Sequence, residues 1–197
     1  MPWDYSDAPP PQFDLIPQGT IATCVLHINP GNVGEDGMLK RSKDGGCEML
    51  DAVITLADGP YKSRKVFERW ILEGTTDGHA KSADINRATL KAILDSALGL
   101  MPDDLSPQAR AARTVNLKDF EGKTFIGKIG IEKGKPKNDG SGENWPDKNI
   151  LAGVITPDKK DWRPCEQPPP FNGGGSTAQA AAPSNAAPPI ARPGWAS

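Results

Sequence analysis

From Pro164 onward the chain reads PCEQPPPFNGGGSTAQAAAPSNAAPPIARPGWAS, and this stretch limits what can fold. Its only charges are Glu166 and Arg192, and its only large apolar side chains are Phe171, Ile190 and Trp195. Such a segment buries too little surface to offset the entropy of ordering it. The first seventeen residues, MPWDYSDAPPPQFDLIP, are of the same kind. The expected organisation is therefore a flexible acidic arm over 1–17, one folded domain over 18–162, and a disordered Pro/Ala/Gly-rich tail over 163–197. A domain of about 145 residues is long enough for one core.

Cys24, Cys47 and Cys165 form no C-x-x-C pair, and their odd number argues against a disulfide scaffold and for a reducing compartment. No basic region followed by an apolar run opens the chain, and no apolar stretch is long enough to span a bilayer. A cytoplasmic location is the expectation.

The middle of the chain alternates in the manner of strands. Residues 19–28 (GTIATCVLHI), 47–56 (CEMLDAVITL), 64–72 (RKVFERWIL), 124–132 (TFIGKIGIE) and 149–156 (NILAGVIT) are rich in β-branched and aromatic residues and are bounded by Gly, Pro, Asn and Asp. Between the third and fourth runs, Ser82 caps a predicted helix with a stripe at Ile85, Thr89, Ala92 and Ile93, widened by Leu90, Leu94, Ala97 and Leu98, that ends at Gly99. Ser106-Pro107 opens a short second helix. Gly127 and Gly130 predict a bend or a close backbone approach in the fourth strand. Five strands with a helix between the third and fourth is the element order of the OB-fold, a mainly β, partly open Greek-key barrel. A five-stranded α+β sandwich has the same element order and stays open as an alternative.

The sequence lacks the constellations that enzymes need. It has two histidines, no H-x-x-x-H or Cys/His cluster at zinc spacing, no Walker loop and no G-x-G-x-x-G. His27 reads as a packed or edge residue, and Asp103-Asp104 as acids favoured near a helix start. No catalytic residue, metal or cofactor is expected.

Binding features are clearer. Net charge is −2, yet Lys118 to Lys137 holds six lysines against three acids. The third strand and the turn before it interleave Lys62, Arg64, Lys65, Phe67, Arg69 and Trp70. The fourth strand and the loop after it add Lys123, Lys128, Lys133, Lys135 and Trp145. Cations that follow phosphates, beside rings that stack on bases, are how single-stranded nucleic acid is held. Alternation allows one of Phe67 and Trp70 to be exposed, and Trp70 is taken into the expected site.

Segments DGPYKSRKVFERWILEG (58–74), LKAILDSALGL (90–100) and LKDFEGKTFIGKIGIEKG (117–134), followed by an N-x-I strand at Asn149, resemble a family of short phage-encoded proteins of formerly unknown function. The resemblance covers about residues 18–156, with Ser63 where the pattern favours Gly and a long loop over 29–46. It implies an OB-fold protein of phage recombination or replication gene clusters that binds single-stranded DNA. Lys62, Arg64, Lys65 and Lys123 match the pattern. The tail is similar to the tethers of single-stranded DNA-binding proteins, ending in an apolar tip with Trp195, which is expected to dock on a phage recombinase or polymerase.

Two readings compete. One is a non-enzymatic single-stranded DNA-binding protein. The other is a protein–protein adaptor or inhibitor acting on a phage or host replication or defence protein, favoured by a core with 21 bases and 21 acids over 18–162. Convergence of Arg64, Lys65, Lys123 and Lys128 beside a ring favours the first reading, and scatter favours the second. A homodimer would bind by avidity.

Overall fold

The computed structural model of the protein describes residues 14–138 and 140–166. Its elements are β1 (Ile21–Asn29), β2 (Lys40–Arg41), β3 (Cys47–Leu56), β4 (Lys65–Gly74), α1 (Asp77–Leu98), α2 (Pro107–Arg113), a 3-10 turn at Leu117–Phe120, β5 (Thr124–Glu132) and β6 (Lys148–Ile155). The five expected strands are present, and β2 is an addition inside the long loop. All pairs are antiparallel, in the order β4-β3-β1-β5-β6. The short β2 joins β3 at Glu48 and Met49, just beyond the end of β1 at Asp51.

β1 buries alternate side chains. These are Ala22, Cys24, Leu26 and Ile28. They meet Leu50, Ile54, Leu56, Val66, Phe125 and Ile129 in one core, closed from the side by Leu90, Ile93 and Leu94 of α1. Each fully buried leucine or isoleucine contributes about 1.5–3 kcal/mol. The close approach expected in β5 is present: a Cβ on Gly127 would lie 2.8 Å from Cys24 Sγ, and one on Gly130 would lie 2.8 Å from Ala152 Cβ.

The sheet is open rather than a closed barrel. Alternation of direction through four antiparallel pairs makes the edge strands β4 and β6 run the same way, and no backbone ladder joins them. Three other devices span the gap. At the start of both strands, Ile16 N donates to Asn149 Oδ1 and Asn149 Nδ2 donates back to Ile16 O, each at 2.8 Å. Arg64 Nη2 donates to Asp14 O at 2.6 Å beside them. In the middle, Leu151 N of β6 donates to Glu68 Oε1 of β4 at 2.6 Å. At the far end α1 covers the opening, with Asn86 and Arg87 donating to the Ile71 and Leu72 carbonyls on the β4 edge. Residues 14–17, expected within the arm, are thus part of the fold. Residues 1–13 and 167–197, with Trp195, lie outside the described residues.

The helix starts earlier than expected. Thr76 caps it, its hydroxyl accepting from His79 N, and Ile85 of the expected stripe is exposed over the gap. The buried side uses Ile93, Leu90, Leu94 and Ala97 of the expected face, together with Ala83. It also takes in Asp95, 1 % exposed, which accepts from Lys91 Nζ at 2.7 Å and Arg113 Nε at 2.6 Å. This carboxylate ties α2 to α1. After β6 the chain crosses to β1, where Arg163 Nη2 donates to Asp58 Oδ2 at 2.6 Å and to Thr23 Oγ1 at 3.0 Å. Burial pushes the Asp58 carboxyl up, but hydrogen bonds from Thr23 and Arg163 outweigh it and hold it low.

Replacing Arg113 with Met leaves Asp95 buried with Lys91 alone and should cost about 3 kcal/mol. Arg41→Met breaks a surface pair with Glu48 and should cost under about 1 kcal/mol. Urea unfolding of both variants checks the contrast. Burial also raises the Glu68 carboxyl, against the pull of the Leu151 N–H. A raised carboxyl binds its proton more tightly when folded, so its protonation adds stability as pH falls. Glu68→Gln keeps the acceptor and loses that gain. As pH falls toward the ordinary carboxylate value, wild type should become more stable relative to Glu68→Gln. A gap that does not change with pH contradicts this account.

Candidate nucleic-acid interface

On β4 the order Lys65, Phe67, Arg69 alternates with Val66, Glu68, Trp70. The sheet register pairs Lys65 with Thr55, Phe67 with Val53 and Arg69 with Asp51, which sets these three on the outer face. Phe67 is 67 % exposed and Trp70 is 5 % exposed. Trp70 therefore belongs to the core, next to Val66 and Leu72, and is withdrawn from the expected site. The ring that faces solvent is Phe67, between two bases.

The loop joining β5 to β6 is an ordered hairpin extension. Lys137 N donates to Glu143 O and Trp145 N donates to Lys135 O, both at 2.8 Å. Asp147 fastens its base, accepting from Lys133 Nζ at 2.6 Å and from Gly134 N at 3.0 Å. The Lys133 hydrogen bond leads the causes that hold the Asp147 carboxyl below its usual range. Trp145 projects from this hairpin, 60 % exposed, with Lys137 Nζ 5.7 Å from its ring centroid, within cation–π reach.

Two clefts lie along this surface. One, of about 290 Å³, is bounded by Asn29, Asp51, Phe67, Arg69 and Lys148. The other, of about 280 Å³, is bounded by Lys133, Lys135, Trp145, Pro146 and Lys148. Lys148 borders both, so a strip runs from Phe67 through Lys148 to Trp145. Several of its cations are already paired. Arg69 Nε meets Asp51 Oδ1 at 2.7 Å, and Lys148 meets Glu132 at 2.9 Å. The Arg69 hydrogen bond is the main reason that the Asp51 carboxyl sits low, and Lys40 reinforces it. Lys65 and Lys135 are exposed and form no ion pair among the described residues.

The four cations chosen as a discriminator do not converge. Arg64 is held on the Asp14 carbonyl, and Lys62 sits in the turn before it. Lys123 is half-buried opposite Leu26. Lys128 shares the outer face with Lys65 but stands on β5 opposite Ile21, with β3 and β1 between. By that criterion alone the adaptor reading gains. Of the expected site, Arg69 borders the first cleft and Lys133, Lys135 and Trp145 border the second, while Lys65 shares the outer face of β4 with Phe67. Of the two rings that the sequence leaves open, Phe67 is the exposed one, and Lys148 is a strip residue that the sequence reading missed. Phe67 was findable, since Val66 and Trp70 share the apolar side of the alternation and leave Phe67 among cations. Lys148 had no local signal, because the cleft that it borders is made by β1, β3 and β4.

Among the described residues no group of His, Cys, Asp and Glu side chains could hold a metal ion, and no helix is long and apolar enough to cross a membrane. Comparison with protein-family models, curated proteins and solved structures finds no match for this chain.

The two aromatic positions should separate in a stability assay. Trp70→Ala should cost about 3–5 kcal/mol, whereas Phe67→Ala should stay within about 0.5 kcal/mol of wild type. Thermal or urea unfolding of the two variants distinguishes a core ring from a surface ring.

Proposed function

We propose that this protein is a non-enzymatic single-stranded DNA-binding protein of OB-like fold, acting in phage DNA replication or recombination. The observation that carries this reading is the strip on which Lys148 joins two clefts, each bordered by an exposed aromatic ring and a cation. Rings of this kind take the π-face of any base, and lysines follow the backbone, so such a strip fits a single strand without sequence preference. The OB-like reading is supported by the pairing order β4-β3-β1-β5-β6, by edges that run the same way, and by α1 between the third and fourth long strands. In OB-folds the ligand lies on the face of the second and third long strands and between the loops at their sides. Here those strands are β3 and β4, which carry Phe67 and Arg69, and the loop between β5 and β6 carries Trp145. The phage setting rests on the family resemblance of the sequence.

A second reading, the adaptor, is favoured by Leu98, Met101 and Leu105, which expose apolar surface where α1 ends. Titration with labelled oligothymidine and with a matched duplex decides between them. Binding to the single strand alone, weakening as salt rises, is expected. Phe67→Ala and Trp145→Ala should each weaken it by roughly 1–3 kcal/mol. Absence of single-strand binding at low salt overturns the proposal and turns attention to protein partners.

A further inference from the structure

A cavity of about 630 Å³, more than twice the volume of either cleft on the strip, lies in the gap between β4 and β6. Arg69 and Trp70 of β4, Gly153 and Val154 of β6, and Ile85 and Ala88 of α1 border it. Both strand walls are edges. The ladder between β3 and β4 alternates from the bond that Leu56 N donates to Arg64 O. It turns the N–H and C=O of Val66, Glu68 and Trp70 to β3, and those of Phe67 and Arg69 to the gap. On β5, Ile129 N donates to Thr20 O, just before β1, so Lys128 turns to its β6 partner Gly153. The N–H and C=O of Val154 then turn to the gap. Neither the Arg69 nor the Val154 backbone makes a hydrogen bond there among the described residues. A strand inserted in the opposite direction to both edges would be antiparallel to each, as every pair in this sheet is. Charge also selects the occupant. Arg69 is neutralised by Asp51, whereas Glu68, the acid that borders the cavity, has no ion pair among the described residues.

We propose that this slot receives an extended peptide segment of a partner protein, which pairs with the Arg69 backbone on one side and the Val154 backbone on the other and sets a basic side chain against Glu68. Unpaired N–H and C=O groups on a sheet edge are a template for another chain, and here two such edges face one space. Main-chain hydrogen bonds supply the affinity in this mode of recognition, and alternate side chains supply the choice of partner. One row of the peptide's side chains meets Ile85, 67 % exposed over the gap, and Ala88. The slot is distinct from the strip, and the proposal stands whether or not the strip binds DNA.

The test uses the full chain and three capped peptides of about five residues, the usual length of a strand. Each alternates valine and threonine around a central lysine, norleucine or glutamate. Backbone amide spectra and amide exchange are read at Arg69 and Val154. The lysine peptide is expected to shift both amides and slow their exchange, and the glutamate peptide to bind roughly tenfold more weakly. A lysine peptide N-methylated at alternate residues lacks the main-chain donors and should leave the amides where they are. Ala88→Trp, at an exposed position of α1, fills the slot and should abolish the shifts. Glu68→Gln keeps the acceptor for Leu151 N and should remove the preference for lysine over norleucine. No shift at Val154 with any of the three peptides overturns the proposal, as do shifts that survive N-methylation or Ala88→Trp. Equal binding of all three peptides overturns the role of Glu68. Shifts that follow protein concentration without peptide assign the slot to a second copy and overturn the partner segment.

Discussion

The hydrogen bond from Leu151 N to Glu68 Oε1 is the contact on which the architecture turns. Two edge strands that run the same way face each other without a ladder, and an open sheet edge invites pairing with other chains. One side chain substitutes for the missing backbone partner. A half-buried carboxylate is a costly way to do this, since burial raises its pKa. The arrangement holds because the Ile16–Asn149 pair and α1 secure the two ends of the same gap. With the edges fixed in this way, β4 presents Phe67 outward beside Lys148 of β6, and the strip between the two clefts exists at all.

Charge is organised locally rather than globally. The domain is near neutral, and most of the cations on the strip have a carboxylate within ion-pair distance. These exposed pairs add little to stability. Their effect is on position: Asp51 holds Arg69 beside Phe67, and Asp147 holds Lys133 at the base of the hairpin that carries Trp145. A ligand with phosphates would exchange one anion for another at these sites. Binding energy would then come mainly from the two rings and from the cations that have no carboxylate of their own.

Strand existence was legible in the sequence because alternation in runs such as 21–29 and 47–56 is dictated by a sheet with one buried face. That the sheet stays open with its edges bridged by a side chain is not legible, because the bridge depends on Glu68 meeting the backbone of a strand 83 positions later in the chain. The helix start at Thr76 is hard to read in sequence, because Gly78, a poor helix residue, follows the cap. The expected apolar stripe failed at Ile85 because that part of α1 overhangs the gap instead of packing on strands. Alternation in sequence leaves open which of Phe67 and Trp70 faces solvent, although the parity of Trp70 with Val66 points to the core. The anchoring of residues 14–17 had no sequence signature beyond a single apolar residue, Ile16, in a polar stretch.

The pair formed by Ile16 and Asn149 has a consequence for how the chain acquires its structure. These partners are 133 positions apart, and the strand that supplies Asn149 is the last one made. During synthesis β1, β3 and β4 can pair in sequence while the β4 edge waits for its neighbour. That interval exposes an unpaired edge to other nascent chains, and contacts of such long separation slow folding. The contact between Ile16 and Asn149 is therefore one that forms only after the last strand has been made.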